Sequence, residues 1–233
     1  MPTQRQSPRR VSSSAHVPGS SSEDTVVRLL DAAERLFAER GVDGVSLRTI
    51  TQAAEVNVAA AHYYFGSKQG LIEAIFARRM GSVSEERSRM LDELDRAEFV
   101  DVRAIAEAFL RPLADMVIDP SDPRRHYVAF LAGTALRPGP ARAAGFSSFD
   151  KQRKRFADLM GRALPGVPHE IRMFRFLVML NAGILLLADL DFAKVSWNTA
   201  GVAIERTALV DEIVNTLAGV LAGEPTDAQL GTQ

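Results

Sequence analysis

The sequence predicts an all-α chain, with an N-terminal three-helix unit followed by a larger helical part. Three observations carry that prediction. Apolar residues recur at helical spacing almost throughout, no run alternates with period two as a half-buried strand would, and helix-capping residues open one segment after another. No internal repeat is present.

Residues 1–22 are rich in Ser, Pro, Arg and Gln, include Arg5, Arg9 and Arg10, and bury too little apolar surface to offset the entropy of ordering. They are expected to be a disordered basic tail. Val26, Leu29, Leu30, Ala33, Leu36 and Phe37 then form one apolar stripe of a first helix, with Thr25 as its N-cap and Gly41 at its C′ position. Ser46 announces a short second helix whose inner face is Leu47, Ile50, Ala53 and Ala54. Glu55-Val56-Asn57 leaves room for nothing but a tight turn, and Asn57 is itself an N-cap for a third helix.

Longer helices follow. Ser67 caps one that runs through Leu71, Ile72, Ile75 and Phe76 toward Leu94, with a bend expected near Gly81. Asp101 opens Val102 to Val117, and Pro123 opens a segment ending near Leu136. Pro138, Gly139, Pro140 and Gly145 read as a loop, and Phe149 to Leu164 as an amphipathic helix. The last two long helices are expected from Pro168 to about Phe192 and from Asn198 to about Leu221, ahead of a polar end at 224–233. The division implied is a tail over 1–22, an N-terminal unit over 23–80, a helical C-terminal part over 81–223 and a flexible end.

Composition narrows the chemistry. The 233 residues carry 28 Lys and Arg against 29 Asp and Glu, an ordinary balance with no strong bias toward polyanions. There is no cysteine, which excludes disulfides, thiolate nucleophiles and Cys-ligated metal sites. Four histidines, His16, His62, His126 and His169, lie too far apart for a helical zinc motif, and neither a glycine-rich phosphate loop nor a G-x-S-x-G elbow is present. No enzyme activity, metal or cofactor is expected. The longest strongly apolar uncharged run is 176–188, 13 residues, where a membrane span needs about 20. The N-terminal arginines lead into Ser12, Ser13 and Ser14, with no apolar stretch of a secretory or twin-arginine signal. A cytoplasmic location without membrane contact is therefore expected.

Two short helices joined by a tight turn have the spacing of a helix-turn-helix. The third helix and its sequel, Val56-Asn57-Val58-Ala59-Ala60-Ala61-His62-Tyr63-Tyr64-Phe65-Gly66-Ser67-Lys68, sharpen that reading. A helix in a major groove needs small residues where its backbone nears DNA, as Ala59 and Ala60 supply, and polar or aromatic side chains able to reach bases and phosphates. Lys68, next to the cap Ser67, combines a cation with the free N–H groups of a helix N-terminus.

Over Leu29 to Phe76 the chain resembles the DNA-binding domain of the TetR family of bacterial transcriptional regulators. Phe37 to Gly41, Ser46-Leu47-Arg48-Thr49-Ile50, Ala54, Val56 and Tyr63-Tyr64-Phe65-Gly66-Ser67-Lys68 carry the resemblance. It implies a DNA-binding set of Ser46, Arg48, Thr49, Asn57, Val58, Ala59, His62, Tyr63, Tyr64 and Lys68. Arg48 is the first candidate for base readout, and Tyr63, Tyr64 and Lys68 are backbone clamps. Two positions depart from the family pattern. Glu55 stands where the turn usually has Gly and is expected to point away from the phosphates; His62 replaces an aromatic, with a role in either DNA contact or helix packing.

Residues 23–80 hold seven basic and eight acidic side chains, so affinity is expected to depend on pairing two such units on a palindromic double-stranded operator. The resemblance implies a homodimer through the last two long helices, with Met179, Ala182, Gly183, Leu186, Val202, Leu209, Ile213, Leu217 and Leu221 as candidate interface residues. It also implies a repressor released by a small, largely apolar effector, in the class of fatty acids or acyl thioesters. The candidate lining is Phe109, Leu113, Met116, Val117, Tyr127, Phe130, Leu131, Phe174, Leu177 and Val178, with Arg137 or Arg142 meeting an anionic head group. The competing reading is a helical interaction or scaffold protein that uses Tyr63, Tyr64 and Phe65 for packing.

Overall fold

The protein is described by a computed structural model, which covers residues 22–135, 137–191 and 204–223. Among these residues it forms nine helices and no strand. Of the expected tail over 1–22, Ser22 instead opens the first helix; residues 1–21, the expected end 224–233 and the expected helix cap Asn198 lie outside the described residues.

The N-terminal unit holds α1 (Ser22–Arg40), α2 (Leu47–Ala53), α3 (Val58–Phe65) and the start of α4 (Lys68–Arg96). α1 begins three residues before Thr25, and Glu23 and Asp24 occupy its first turn, where the positive end of the helix dipole favours carboxylates. It ends at Gly41, whose φ of +71° suits a residue without Cβ, and whose N–H donates to the Phe37 carbonyl at 2.9 Å. The next three helices start at the caps the sequence announces. Ser46 Oγ accepts from the Thr49 N–H at 3.1 Å, Asn57 Oδ1 from that of Ala59 at 2.9 Å, and Ser67 Oγ from that of Gly70 at 3.1 Å. α4 then runs as one helix through Gly81 to Arg96.

The C-terminal part comprises α5 (Val102–Ala114), α6 (Arg125–Ala135), α7 (Pro140–Ala163), α8 (His169–Ala188) and α9 (Arg206–Ala222). Asp101 caps α5 as expected, accepting from the Arg103 N–H at 3.0 Å, but the helix ends before Val117, beyond its internal Pro112. Pro123 lies in the turn before α6, not in the helix. The largest correction is α7, which starts at Pro140, nine residues before Phe149. Pro140 fits the first helical turn, where its missing N–H costs nothing, so a proline that reads as a loop residue opens a helix.

α8 also corrects the expectation that no segment is long enough to span a bilayer. At 20 residues it is apolar and long enough by length and composition alone. One of its faces packs into the protein, however, and its Arg172 and Arg175 donate to the carbonyls of Val167 and Leu221.

α4 lies against α5 and α7, α6 against α1 and α8, and α9 against α5 and α8. Two aromatic clusters organise the core. Phe130 of α6 stacks on Phe37 of α1 at 5.7 Å between centroids and meets Phe76 of α4 at 5.2 Å, which joins the N-terminal unit to the rest. Phe109, Phe149, Phe156 and Phe176 form the second, where α5, α7 and α8 converge. A buried carboxylate reinforces the first junction: Glu34 of α1 is 1% exposed and pairs with both Arg78 and Arg79 of α4.

Candidate nucleic-acid interface and ligand cavity

α3 turns Ala61 into the core and leaves Asn57, Val58, Ala59 and Tyr63 outside. Its outward face therefore combines a small, close-approach surface with one large polar aromatic, Tyr63, 83% exposed. Tyr63 is thus no part of this protomer's core. Tyr64 is half-buried and placed edge-on to Tyr63, and its hydroxyl meets Ser22 Oγ, in the first residue of α1, at 2.7 Å.

Arg48 is exposed on α2, while the Thr49 hydroxyl is engaged with Ser46 Oγ at 2.8 Å. Lys68 sits at the first position of α4, its Nζ 5.9 Å from the centre of the Phe37 ring. Gly70 is required by the turn between α3 and α4, because a Cβ there would lie 2.1 Å from the Phe65 carbonyl oxygen. His62 is exposed and its Nδ1 lies 3.1 Å from the Gly66 carbonyl oxygen, so the ring closes the C-terminal end of α3. Glu55 takes φ +55° in the turn between α2 and α3, the left-handed conformation that the family's glycine adopts without strain.

A second feature lies in the C-terminal part, where α4 to α8 line a partly open cavity of about 60 Å³. Of the expected lining residues, Phe109, Leu113 and Leu131 reach it. The others do not. Tyr127 and Phe130 belong to the aromatic cluster around Phe76, Met116 and Val117 are buried past the end of α5, and Phe174, Leu177 and Val178 lie on the exposed face of α8. Helical periodicity marks which side chains share a face but not what that face meets, which is why this set divides.

The cavity also receives Arg87 and Arg142. Arg137, the other arginine expected near a head group, is instead exposed in the loop before α7, 3.4 Å from Asp43. Arg87 is 2% exposed; its Nε and Nη2 donate to the Phe109 carbonyl at 3.2 and 2.9 Å, and its guanidinium lies 4.3 Å from the centre of the Phe109 ring. Burial pulls its pKa down to about 10. Sequence reasoning misses Arg87, although it falls with Val83 and Leu91 on the buried stripe of α4, a charge where the helical period calls for an apolar residue.

The expected interface residues divide as well. Met179, Gly183, Ile213, Leu217 and Leu221 pack inside the protomer, and a Cβ on Gly183 would lie 2.3 Å from Leu110 Cδ2. Ala182 and Leu209 are half-buried, Leu186 is exposed, and Val202 lies outside the described residues. On α8, exposed apolar side chains form a stripe at i, i+3, i+4, i+11 and i+12: Phe174, Leu177, Val178, Leu185 and Leu186.

Comparison with known proteins agrees with this architecture. Residues 29–75 match the family model for bacterial regulatory proteins of the tetR family, and residues 107–219 match that of the tetracyclin repressor-like C-terminal domain. The nicotine-responsive transcriptional repressor HdnoR of Paenarthrobacter nicotinovorans is 36% identical over 86 residues, 37% of this chain and 42% of that protein. The chain thus spans less than half the length of that relative. The transcriptional regulator UidR of Escherichia coli K12 is 24% identical over 73% of this chain and 83% of its own.

Among solved structures, the TetR family regulator PfmR of Thermus thermophilus aligns with a TM-score of 0.57 at 17% identity, covering 85% of this chain and 96% of its own. FadR of Bacillus subtilis, solved with stearoyl-CoA, aligns with a TM-score of 0.56 at 13% identity over 83% and 98%. AibR, solved with isovaleryl coenzyme A and operator DNA, aligns with a TM-score of 0.56 at 19% identity over 84% and 97%. The capped helix-turn-helix, the all-helical C-terminal part and these two matched stretches place the chain in the TetR family of bacterial transcriptional regulators.

Proposed function

We propose that the protein is a cytoplasmic homodimeric repressor that binds a palindromic operator and is released by a small, largely apolar effector in the cavity under α4. One observation carries the reading: α4 belongs to both sites. Its first residue is Lys68, at the nucleic-acid face, and Met80 and Arg87 further along it line the cavity. Gly145 of α7 packs against Phe76 of α4, where an added Cβ would lie 3.2 Å from the ring, so a ligand that spreads α7 from α4 changes how α4 carries Lys68.

In this reading Arg48 and the start of α3, Asn57 to Ala59, meet base edges, with Ser46 and Thr49 beside them, while Tyr63, Tyr64 and Lys68 hold phosphates. The uncovered stripe on α8 supplies the dimer contact. It is apolar on either side of Asn181 and lies on one helix face, as a helix-pairing surface requires. An effector shifts the equilibrium only if it binds the released conformer better, and operator DNA then weakens effector binding by the same factor.

Selection of bound duplexes from a random pool, with Arg48→Ala in parallel, tests the proposal. Enrichment of one palindromic site by the parent and its loss in the variant is the expected result. Folded, dimeric protein that enriches nothing, including after unfolding, washing and refolding to strip a retained effector, would overturn it.

A further inference from the structure

We propose that the effector carries a carboxylate and that Arg87 is its anchor: the ligand is a small apolar acid whose anionic end is buried against this guanidinium. The inference rests on the repressor reading for its consequence, but its evidence is the cavity itself. Burying a cation costs several kcal/mol unless an anion or a full set of acceptors compensates. Arg87 has neither. No carboxylate lies within ion-pair distance of it among the described residues, and the acceptor given to its donors is the single carbonyl of Phe109.

The rest of the lining points the same way. No acidic residue contributes to the cavity among the described residues, and Arg142, the other cation there, has no carboxylate partner among them either and lies 5.5 Å from the Phe146 ring. The neutral polar residues are already engaged with carbonyls of their own helices. Thr134 Oγ1 donates to Leu131 at 2.8 Å, Ser148 Oγ to Gly145 at 2.6 Å, and Asn181 Nδ2 to Leu177 at 2.8 Å. Among the polar lining residues, the two arginines are the only cations, Asn181 keeps one further amide N–H, and only Arg87 is fully buried. The remaining walls are apolar, including Phe109, Leu113, Phe149 and Ile184.

Charge separates an acid from its thioester. A free carboxylate brings the full negative charge that a buried guanidinium lacks, and the pair is charge-assisted. A thioester brings a neutral carbonyl to the guanidinium and leaves its charges on the distant nucleotide.

Thermal shift and calorimetric titration of the full chain test this, with acids from butanoate to dodecanoate, phenylacetate, the matching primary alcohols and octanoyl-CoA. At least one acid is expected to bind, with its alcohol weaker by about tenfold or more, the loss of one charge-assisted contact. Arg87→Met is expected to bring the acid down to the alcohol and leave the alcohol unchanged. Should that variant fail to fold, the acid-to-alcohol ratio in the parent decides alone. Equal binding of acid and alcohol, thioester binding tighter than the free acid, an Arg87→Met protein that binds acid as the parent does, or no binding anywhere in the series would each overturn the anchor. Operator binding, measured separately without ligand, shows whether the repressor reading has failed instead.

Discussion

Arg79 holds both carboxylate oxygens of Glu34, with Nε 2.9 Å from Oε1 and Nη2 2.7 Å from Oε2, so the first helix of the N-terminal unit is clamped to α4 by a charged pair at a nearly dry junction. Arg78 adds a second contact to the same carboxylate at 3.2 Å. Glu34→Ala leaves Arg79 without its anion, while Arg78 keeps Asp31, and is expected to cost about 3 kcal/mol of unfolding free energy. Urea titration followed by circular dichroism measures it; a loss below about 0.5 kcal/mol, the range of a surface pair, would show that the clamp contributes nothing.

The turn between α2 and α3 stores strain at Glu55. A left-handed residue with a Cβ costs about 1 to 2 kcal/mol, part of which glycine recovers against its greater freedom in the unfolded chain. Glu55→Gly is thus expected to raise stability by about 0.5 to 1 kcal/mol. Glu55→Ala, which keeps the Cβ, should not; a gain from both would assign the effect to the charge.

Much of this molecule is legible in its sequence, and the illegible parts share a cause. Ser46, Asn57, Ser67 and Asp101 announce helix starts because capping is local chemistry between residues two or three apart. The outward face of α3 is readable for the same reason. What a helix packs against is not local. Met179 shares helical spacing with exposed Leu186 seven residues on, yet only contact with the rest of the protomer decides that Met179 is core. Pro140 reads equally well as loop or helix start, and Arg87 reveals itself only as a charge out of place on an apolar stripe.

Arg87 also makes a pH-dependent prediction. Its pKa falls from the ordinary arginine value to about 10 on folding, so the folded chain releases this proton more readily than the unfolded one. Below pH 10 the cation opposes folding in full, and the penalty fades as pH rises beyond about 10 toward the unfolded value. Arg87→Met is expected to be more stable than the parent by about 1 to 4 kcal/mol at neutral pH. The gap should narrow at about pH 11, and denaturation at the two pH values gives the difference directly.

Tyr127 offers a smaller gain of the same kind. Its side chain is fully buried, its hydroxyl has no partner among the described residues, and burial pushes the phenol far above its usual pKa. Tyr127→Phe removes an unsatisfied polar atom while keeping the ring against Phe76 and Phe130, and should be neutral or stabilising by up to about 1 kcal/mol. A thermal melt that falls would mean that the hydroxyl has an acceptor after all.

The exposed stripe on α8 tests the dimer. Leu177→Glu with Leu185→Glu places like charges on an apolar helix face and is expected to yield a folded monomer by analytical ultracentrifugation. An unchanged sedimentation coefficient would place the interface elsewhere.

The contact between Ser22 and Tyr64 bears on how the protein is best handled. Because α1 begins against the helix that presents Tyr63, an affinity tag or fluorescent fusion joined directly ahead of Ser22 is expected to reach the face proposed for nucleic acid and compete with a duplex there. A fusion after α9, which packs on α5 and α8, avoids the N-terminal unit. Reporter fusions and immobilised pull-downs should carry their appendages at that end.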